Sequence, residues 1–208
     1  MITSILGLGN MGKGLARRLA GKTDLVLGSR DTAAAGTFAA TIGGGVKVAS
    51  YEEAIKAADV VVLALPYDAA LELAGSAALD GKVVVDMTNP VKSDYSGLEI
   101  GHTTSAAEEI QKAAPHAKVV KGLNTIFAGV FEGPTASTAE VPVFLAGNDE
   151  AAVDAVAGLA RAAGFGVETV GALDGARLLE PVGMLNIRFG YGLGRGTAIA
   201  PSWLKLAA

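Results

Sequence analysis

The residues with the clearest chemical potential lie in the first dozen positions, where three glycines follow a short apolar run. Gly7, Gly9 and Gly12 have the spacing GxGxxG, directly after the run Ile2–Leu6. In this pattern the first glycine permits a tight turn, the second lets a pyrophosphate approach the backbone, and the third lets helix and strand pack closely. The following helix N-terminus favours an anion. The alternative is a simple glycine turn. The predicted dinucleotide-binding residues are Gly7, Leu8, Gly9, Asn10, Met11 and Gly12.

A hydroxyl and a guanidinium stand where the second predicted strand ends, at Ser29 and Arg30. A site for NAD has a carboxylate at this position, which accepts from the ribose hydroxyls, whereas serine and arginine suit a 2′-phosphate. A charge-assisted contact of roughly 1.5–3 kcal/mol favours NADP over NAD by about ten- to a hundredfold. The pair therefore predicts NADP(H). In the alternative interpretation Arg30 is a solvated loop residue and Asp31 contacts the ribose.

Two further predicted strand ends carry prolines, at Leu65-Pro66 and Asn89-Pro90. Ligands of parallel sheets bind beyond the carboxyl ends of the strands, so these residues are expected on the nicotinamide side of the site. Ending a strand is the commoner role of a proline. The same residues can do both, and we include all four as predicted cofactor contacts.

Few residues can serve as an acid or base. Reduction of a carbonyl by hydride needs a proton donor, usually His, Lys or Tyr. His102 and Lys121 are the two candidates, and neither is assigned as catalytic. Lys121 and Asn124 also resemble the Lys/Asn pair of β-hydroxyacid dehydrogenases, which lies in a large second domain for which this chain is too short. No metal site is predicted, because the chain has no cysteine and no histidines paired at ligand spacing.

The elements that must position these residues are short apolar runs alternating with alanine-rich stretches. Apolar strands that alternate with helices form a parallel sheet covered on both faces. We predict an α/β fold of the Rossmann type, with a doubly wound, mostly parallel sheet and a small C-terminal helical segment. The sheet strands are predicted at 2–6, 25–28, 60–65, 82–87, 117–122 and 141–146, a further strand at 166–170, helices at 51–58, 67–74, 105–114, 150–163 and 178–187, and a loop at 133–138.

The bulk properties exclude several classes of partner. The 208 residues carry a net charge of −4 without any Lys/Arg cluster, so nucleic acid is not expected as a partner. No apolar run approaches the roughly 20 residues that cross a bilayer, and an apolar strand predicted from residue 2 leaves no room for a signal peptide. We therefore expect a cytoplasmic protein without membrane association.

We predict an NADP-binding core at 1–147 and a smaller C-terminal part at 148–208.

The motifs together resemble the short NADP oxidoreductases related to deazaflavin coenzyme F420:NADP reductase, a family also seen as the cytoplasmic domain of membrane metalloreductases. The resemblance extends over nearly the whole chain. It implies that the glycine turn holds the pyrophosphate, that Ser29 and Arg30 hold the 2′-phosphate, and that the later strand ends line the nicotinamide. The residues that carry the resemblance lie at 7–16, 28–30, 65–66, 89–91, 105–108 and 119–125, and the cofactor contacts that it implies are Leu8 to Met11, Ser29, Arg30, Leu65, Ala69, Asn89 and Ala128.

The chain departs from the deazaflavin enzymes at Asn124, where they tend to carry histidine, at Ala34, where they carry a further basic residue, and over 188–203. We therefore predict hydride transfer between NADP(H) and a flavin-like or other small acceptor, which needs no protein acid. The alternatives are coenzyme F420:NADP reductase proper, a non-catalytic NADP-binding redox sensor, and reduction of an imine or keto acid.

A homodimer is expected from the resemblance and from the apolar stretch 178–187, with the C-terminal part completing the acceptor site.

Overall fold

The computed structural model describes residues 1–76, 78–203 and 206, and it contains an eight-stranded sheet flanked by helices. The strands lie in the order β3-β2-β1-β4-β5-β6-β7-β8. All neighbouring pairs are parallel except β6 and β7. The strands are β1 (Ile2–Leu6), β2 (Asp24–Gly28), β3 (Lys47–Ala49), β4 (Val60–Leu63), β5 (Val83–Asp86), β6 (Lys118–Lys121), β7 (Pro142–Gly147) and β8 (Gly166–Thr169).

The helices connect these strands and cover both faces of the sheet. They are α1 (Asn10–Leu19), α2 (Thr32–Ile42), α3 (Tyr51–Ala57), α4 (Tyr67–Ser76), α5 (Ala106–Ala113), α6 (Thr135–Thr138), α7 (Glu150–Ala162) and α8 (Ala176–Ile187). Two 3₁₀ helices (Ala128–Glu132 and Leu173–Gly175) and one π-helical turn (Arg188–Gly192) complete the set. Over the residues described, no helix has the length and apolar character needed to cross a membrane.

The strand order confirms the predicted Rossmann-type sheet. The chain moves outward from β1 to β3 and then returns to place β4 on the other side of β1. This reversal leaves a crevice at the carboxyl ends of β1 and β4, where α/β sheets bind their ligands. The glycine turn follows β1 directly, so it lies at that crevice.

The core has two layers because successive strand residues point to opposite faces of the sheet. Ile5 and Leu6 of β1 are both fully buried but belong to different apolar clusters. Val62 and Leu63 of β4 divide in the same way. This arrangement explains the nearly continuous apolar character of the central strands, which are covered by helices on both sides.

Several element predictions need correction. The sheet has eight strands instead of six, because β3 was missed and β8 joins the edge at β7. β3 has only three residues, none of them fully buried, so it lacks a clear strand pattern. Helix α2 was also missed, since it buries little more than Ala35 and Ala39. The predicted loop at 133–138 contains the single helical turn α6, and the glycine-rich segment after α8 begins as a π-helical turn.

Candidate active site

The three glycines of the turn meet different steric limits. Gly7 has a φ of +95°, and a side chain there would overlap the Ala64 carbonyl oxygen. A side chain at Gly12 would overlap the Gly7 carbonyl oxygen, so this glycine allows α1 to pack against the turn. A Cβ at Gly9 would have no atom within 4 Å. Gly9 is the N-cap of α1, and the open space beside it leaves the helix N-terminus accessible.

One half of the candidate site is a cavity of about 410 Å³ at the ends of β1 and β2. Ser29 and Arg30 both line it, together with the glycine turn. The Ser29 hydroxyl accepts from the Asp31 backbone N–H at 3.1 Å. Asp31 caps α2, its Oδ1 accepting from Ala34 N at 2.9 Å, so its carboxylate is already engaged. The exposed guanidinium of Arg30 suits a phosphate, and so does the ammonium of Lys13, which lines the same cavity.

The other half is a cavity of about 380 Å³ at the ends of β4, β5 and β6. The two cavities share Gly9, Ala64, Leu65 and Pro66, so they form one groove across the carboxyl edge of the sheet. Predicted cofactor residues that line this second half are Gly9, Asn10, Met11, Leu65, Pro66, Asn89 and Ala128.

Three predicted cofactor residues line neither half of the groove. Gly12 is buried beneath the turn, where it has the packing role described above. Pro90 is buried, and its carbonyl accepts from Glu99 N at 2.7 Å. Ala69 is exposed on α4. Contact of Ala69 and Pro90 with the cofactor therefore stays a prediction.

A group of amides forms the floor of the second cavity. Asn89 Nδ2 donates to the Asn124 carbonyl at 2.8 Å, and Asn124 Nδ2 donates back to Asn89 Oδ1 at 2.9 Å. Asn186 Nδ2 from α8 donates to the Thr125 carbonyl at 3.0 Å. Leu123 just before this segment has a φ of +64°, a strained value for a leucine and one found more often at functional sites.

Two buried polar atoms at this floor have no hydrogen-bond partner. They are Asn124 Oδ1 and Thr125 Oγ1, and both residues line the second cavity. A buried polar atom without a partner is costly unless a water or a ligand satisfies it. These atoms offer an acceptor and a hydroxyl to a polar ligand group, such as a carboxamide.

Charged groups are absent from the described residues that line the second cavity. Tyr191 is its one titratable side chain, and 67% of its surface is exposed. The Tyr191 ring packs edge-on against Phe127, with ring centroids 5.4 Å apart. This half of the groove is therefore lined by apolar groups, amides and hydroxyls.

The two candidate proton donors lie elsewhere. His102 is exposed in the segment between β5 and α5 and lines neither half of the groove. Lys121 is fully buried at the end of β6, where its Nζ pairs with Asp86 and Glu180. A donor role for either residue stays a prediction without geometric support in these contacts.

Sequence reasoning missed several residues of the groove. Lys13 and Tyr51 line the first half, together with Ser29 and Arg30. Gly183 and Asn186 of α8 line the other half. The position of Lys13 one residue after the GxGxxG pattern is a signal that was available. Tyr51 and Asn186 reach the groove only through the packing of α3 and α8, so local sequence gives no signal for them.

The groove fits NADP(H) by several independent features. The groove is open at Gly9, and its first half carries the guanidinium of Arg30 and the hydroxyl of Ser29. In its second half, Asn124 Oδ1 and Thr125 Oγ1 are buried without a hydrogen-bond partner. The N-terminus of α1 between the two ends suits a pyrophosphate.

Comparison with known proteins places the chain in a family. The family described as "NADP oxidoreductase coenzyme F420-dependent" matches residues 3–90. A crystal structure from Arthrobacter sp. FB24, of a candidate F420-dependent NADP reductase, superimposes with a TM-score of 0.81 and 31% identity, over 94% of this chain and 96% of that one. The chain belongs to this family of NADP oxidoreductases. It is accordingly an NADP-dependent reductase.

Two curated relatives of this oxidoreductase have different lengths. Metalloreductase STEAP3 of Rattus norvegicus is 32% identical over 184 residues, which are 86% of this chain and 35% of the relative. The F420-dependent NADP reductase of Methanocaldococcus jannaschii is 29% identical over 198 residues, 87% of this chain and 88% of that enzyme. The chain thus spans about a third of the metalloreductase and nearly all of the archaeal reductase.

Replacement of Arg30 by alanine is expected to raise the dissociation constant for NADPH about ten- to a hundredfold, because one charge-assisted phosphate contact is lost. The dissociation constant for NADH, which lacks the 2′-phosphate, is expected to stay the same. Titration of both cofactors by nicotinamide fluorescence checks this difference. Equal losses for NADPH and NADH would contradict the assignment of Arg30.

Proposed function

We propose that the protein transfers hydride from NADPH to a flavin-like or other planar acceptor in the second half of the groove. The nicotinamide supplies the hydride when the cofactor is bound. The chain's own residues orient it: the glycine turn and α1 bind the pyrophosphate, Ser29 and Arg30 bind the 2′-phosphate, and the amide floor at Asn89 and Asn124 receives the carboxamide.

One observation carries the proposal: no charged residue lines the described part of the acceptor-side cavity. Reduction of a carbonyl would need a donor close to the developing alkoxide. The one titratable side chain that lines this cavity, Tyr191, is 67% exposed and packs its ring edge-on against Phe127. A flavin or deazaflavin ring instead delocalises its charge and exchanges its proton with water. Apolar side chains and amides around a planar ring are sufficient for that chemistry.

A panel of acceptors at fixed NADPH tests the proposal. FMN, FAD and the deazaflavin coenzyme F420 are each added, and the loss of the nicotinamide absorbance band is followed. We expect steady NADPH oxidation with at least one ring acceptor and none with keto acids or imines. Turnover with F420 alone would identify a deazaflavin:NADP reductase, the activity named in the archaeal relative. Tight NADPH binding without turnover of any acceptor would contradict the proposal and favour a redox sensor.

We further propose a homodimer formed by the C-terminal part, residues 148–208. Most of the large apolar side chains that are exposed lie in this part, and the α8 face of Leu178 and Leu185 is prominent among them. An apolar helix face that is exposed is typical of a protein interface. The exposed large apolar side chains of the C-terminal part are Leu178, Leu185, Tyr191, Leu193, Trp203 and Leu206.

Replacement of both Leu178 and Leu185 by glutamate is expected to convert the dimer to a monomer, since charges would enter the interface without partners. Light scattering coupled to size-exclusion chromatography measures the mass directly. The matched control is Glu150→Gln on α7, outside the α8 face. A wild-type protein that is monomeric, or a double variant that remains dimeric, would contradict this interface.

A further inference from the structure

The Nζ atom of Lys121 has three oxygen partners in the protein interior. It donates to Asp86 Oδ2 at 2.9 Å and to the Thr88 carbonyl at 2.5 Å, and it forms an ion pair with Glu180 Oε1 at 2.8 Å. Lys121 and Asp86 are fully buried, and Glu180 is 1% exposed. An ammonium group has three N–H donors, so these partners saturate it.

The two carboxylates around Lys121 are also satisfied. Asp86 Oδ1 accepts from the Thr88 backbone N–H at 2.8 Å. Glu180 accepts from Ala106 N at 3.1 Å and from Ala107 N at 3.4 Å, both in the first turn of α5. Burial raises the pKa of the Glu180 carboxyl, and the neighbouring Lys121 opposes that rise. Removing one member leaves buried charge without compensation, so the cluster tolerates few other arrangements.

Lys121 and its partners belong to three different chain segments, and each segment continues into the wall of the acceptor-side cavity. Lys121 itself ends β6, and Asn124 follows it. Asp86 ends β5, and Asn89 follows it. Glu180 lies in α8, one turn before Gly183. All three continuations, Asn124, Asn89 and Gly183, line the cavity.

The three segments that form these walls also contact one another directly. Asn89 and Asn124 exchange the two hydrogen bonds described above. A Cβ at Gly183 would lie 2.6 Å from Asn89 Oδ1, so α8 packs directly on the Asn89 side chain. A small shift of α8 or of either strand end would therefore change the floor against which the nicotinamide lies.

We infer that Lys121 is a positioning residue, which fixes the strand ends of β5 and β6 and helix α8 in the arrangement that aligns nicotinamide and acceptor. The inference rests on the proposed hydride transfer. The residue does not touch the reacting atoms, because its donors are saturated and it lines neither half of the groove. Its effect reaches the site through Asn89, Asn124 and Gly183.

The test compares Lys121→Met with Lys118→Met. Lys118 lies in the same strand, and its Nζ pairs with Asp149 at 2.9 Å in an ion pair that is partly exposed. Because Lys121→Met leaves two buried carboxylates, the charge-neutral triple variant Asp86→Asn/Lys121→Met/Glu180→Gln is measured as well. Three quantities are recorded for each protein: the affinity for 2′,5′-ADP, the fluorescence emission of bound NADPH, and the single-turnover rate of NADPH oxidation by the acceptor that the wild type reduces.

The 2′,5′-ADP affinity monitors the phosphate half of the groove and is expected to be unchanged. The oxidation rate of bound NADPH is expected to fall about 100-fold in Lys121→Met or the triple variant, the loss typical of a displacement near 1 Å at a reacting centre. The bound nicotinamide emission is expected to shift with it. Lys118→Met should match the wild type in all three measurements.

An oxidation rate that is unchanged in a folded variant would overturn the positioning role. So would equal losses in 2′,5′-ADP affinity and rate, which would indicate general destabilisation. A wild type that binds NADPH but reduces no acceptor would refute the proposed hydride transfer. In that case the emission of bound NADPH decides the positioning role, since an unshifted spectrum in the variants contradicts it.

Discussion

Replacement of Gly9 by alanine is expected to raise the dissociation constant for NADPH about 100-fold without loss of stability, since lost charge-assisted contacts to the pyrophosphate account for ~2.7 kcal/mol. At this position the structure separates the effect of a side chain on NADPH binding from its effect on stability. Gly9 has a φ of −70°, which alanine adopts readily, and an added Cβ would meet no protein atom within 4 Å. The methyl group would instead occupy the open space at the N-terminus of α1, where the pyrophosphate is expected to bind.

The matched control is Gly158→Ala in α7, where an added Cβ likewise meets nothing within 4 Å. That variant is expected to bind NADPH like the wild type. Calorimetric titration gives the dissociation constants, and thermal unfolding gives the stabilities. Unchanged NADPH affinity in Gly9→Ala would refute the placement of the pyrophosphate at this turn. A large drop in its Tm would show that Gly9 is required for folding instead.

Replacement of Arg18 by methionine is expected to lower the free energy of unfolding by about 3–5 kcal/mol, because several buried carbonyls would lose their donors. Arg18 is 8% exposed, and its guanidinium connects α1 to the segment after β6. Its Nε donates to the Phe131 carbonyl at 2.8 Å, and its Nη2 donates to the Gly133 carbonyl at 2.6 Å. Thr135 and Thr138 accept from Nη1 at 3.0 and 3.3 Å.

Arg17 provides the control for this prediction. It is the preceding residue of α1, but it is exposed, and its guanidinium lies 5.2 Å from the Phe38 ring centroid. Arg17→Met is expected to change the free energy of unfolding by no more than about 0.5 kcal/mol, as is usual for a surface position. Urea unfolding of both variants measures the difference. Similar losses in the two variants would contradict the buried role of Arg18.

The sequence was sufficient to predict the sheet and to name the glycine turn, Ser29 and Arg30, which line the first half of the groove, because both depend on local patterns. The apolar runs of β1 and β4 alternate between two buried faces, and the glycine turn is contiguous in sequence. Ser29 and Arg30 were found from their distance to that turn. The short edge strand β3 and the helix α2 bury too few side chains to produce a comparable signal.

The second half of the groove was predicted less completely, because its walls come from elements far apart in sequence. The apolar run that contains α8 indicates a helix, but it does not reveal that Gly183 packs on Asn89 or that Asn186 reaches the Thr125 carbonyl. The partners of the Lys121 ammonium could not be predicted for the same reason, because they come from elements far apart in sequence. As a single lysine near a strand end it suggested a proton donor, and the folded chain surrounds its ammonium with Asp86, Thr88 and Glu180, the last of them from α8.

The pH dependence of the single-turnover rate of NADPH oxidation tests most directly whether the protein aligns two rings without donating a proton. The wild type is mixed with saturating NADPH and its ring acceptor, and the rate is measured from about pH 5.5 to 8.5, the range in which a histidine donor titrates. A rate that is constant across this range is the predicted result. A rate that falls as the pH rises through this range and becomes constant in His102→Ala, or a rate that is lost in Tyr191→Phe, would contradict it.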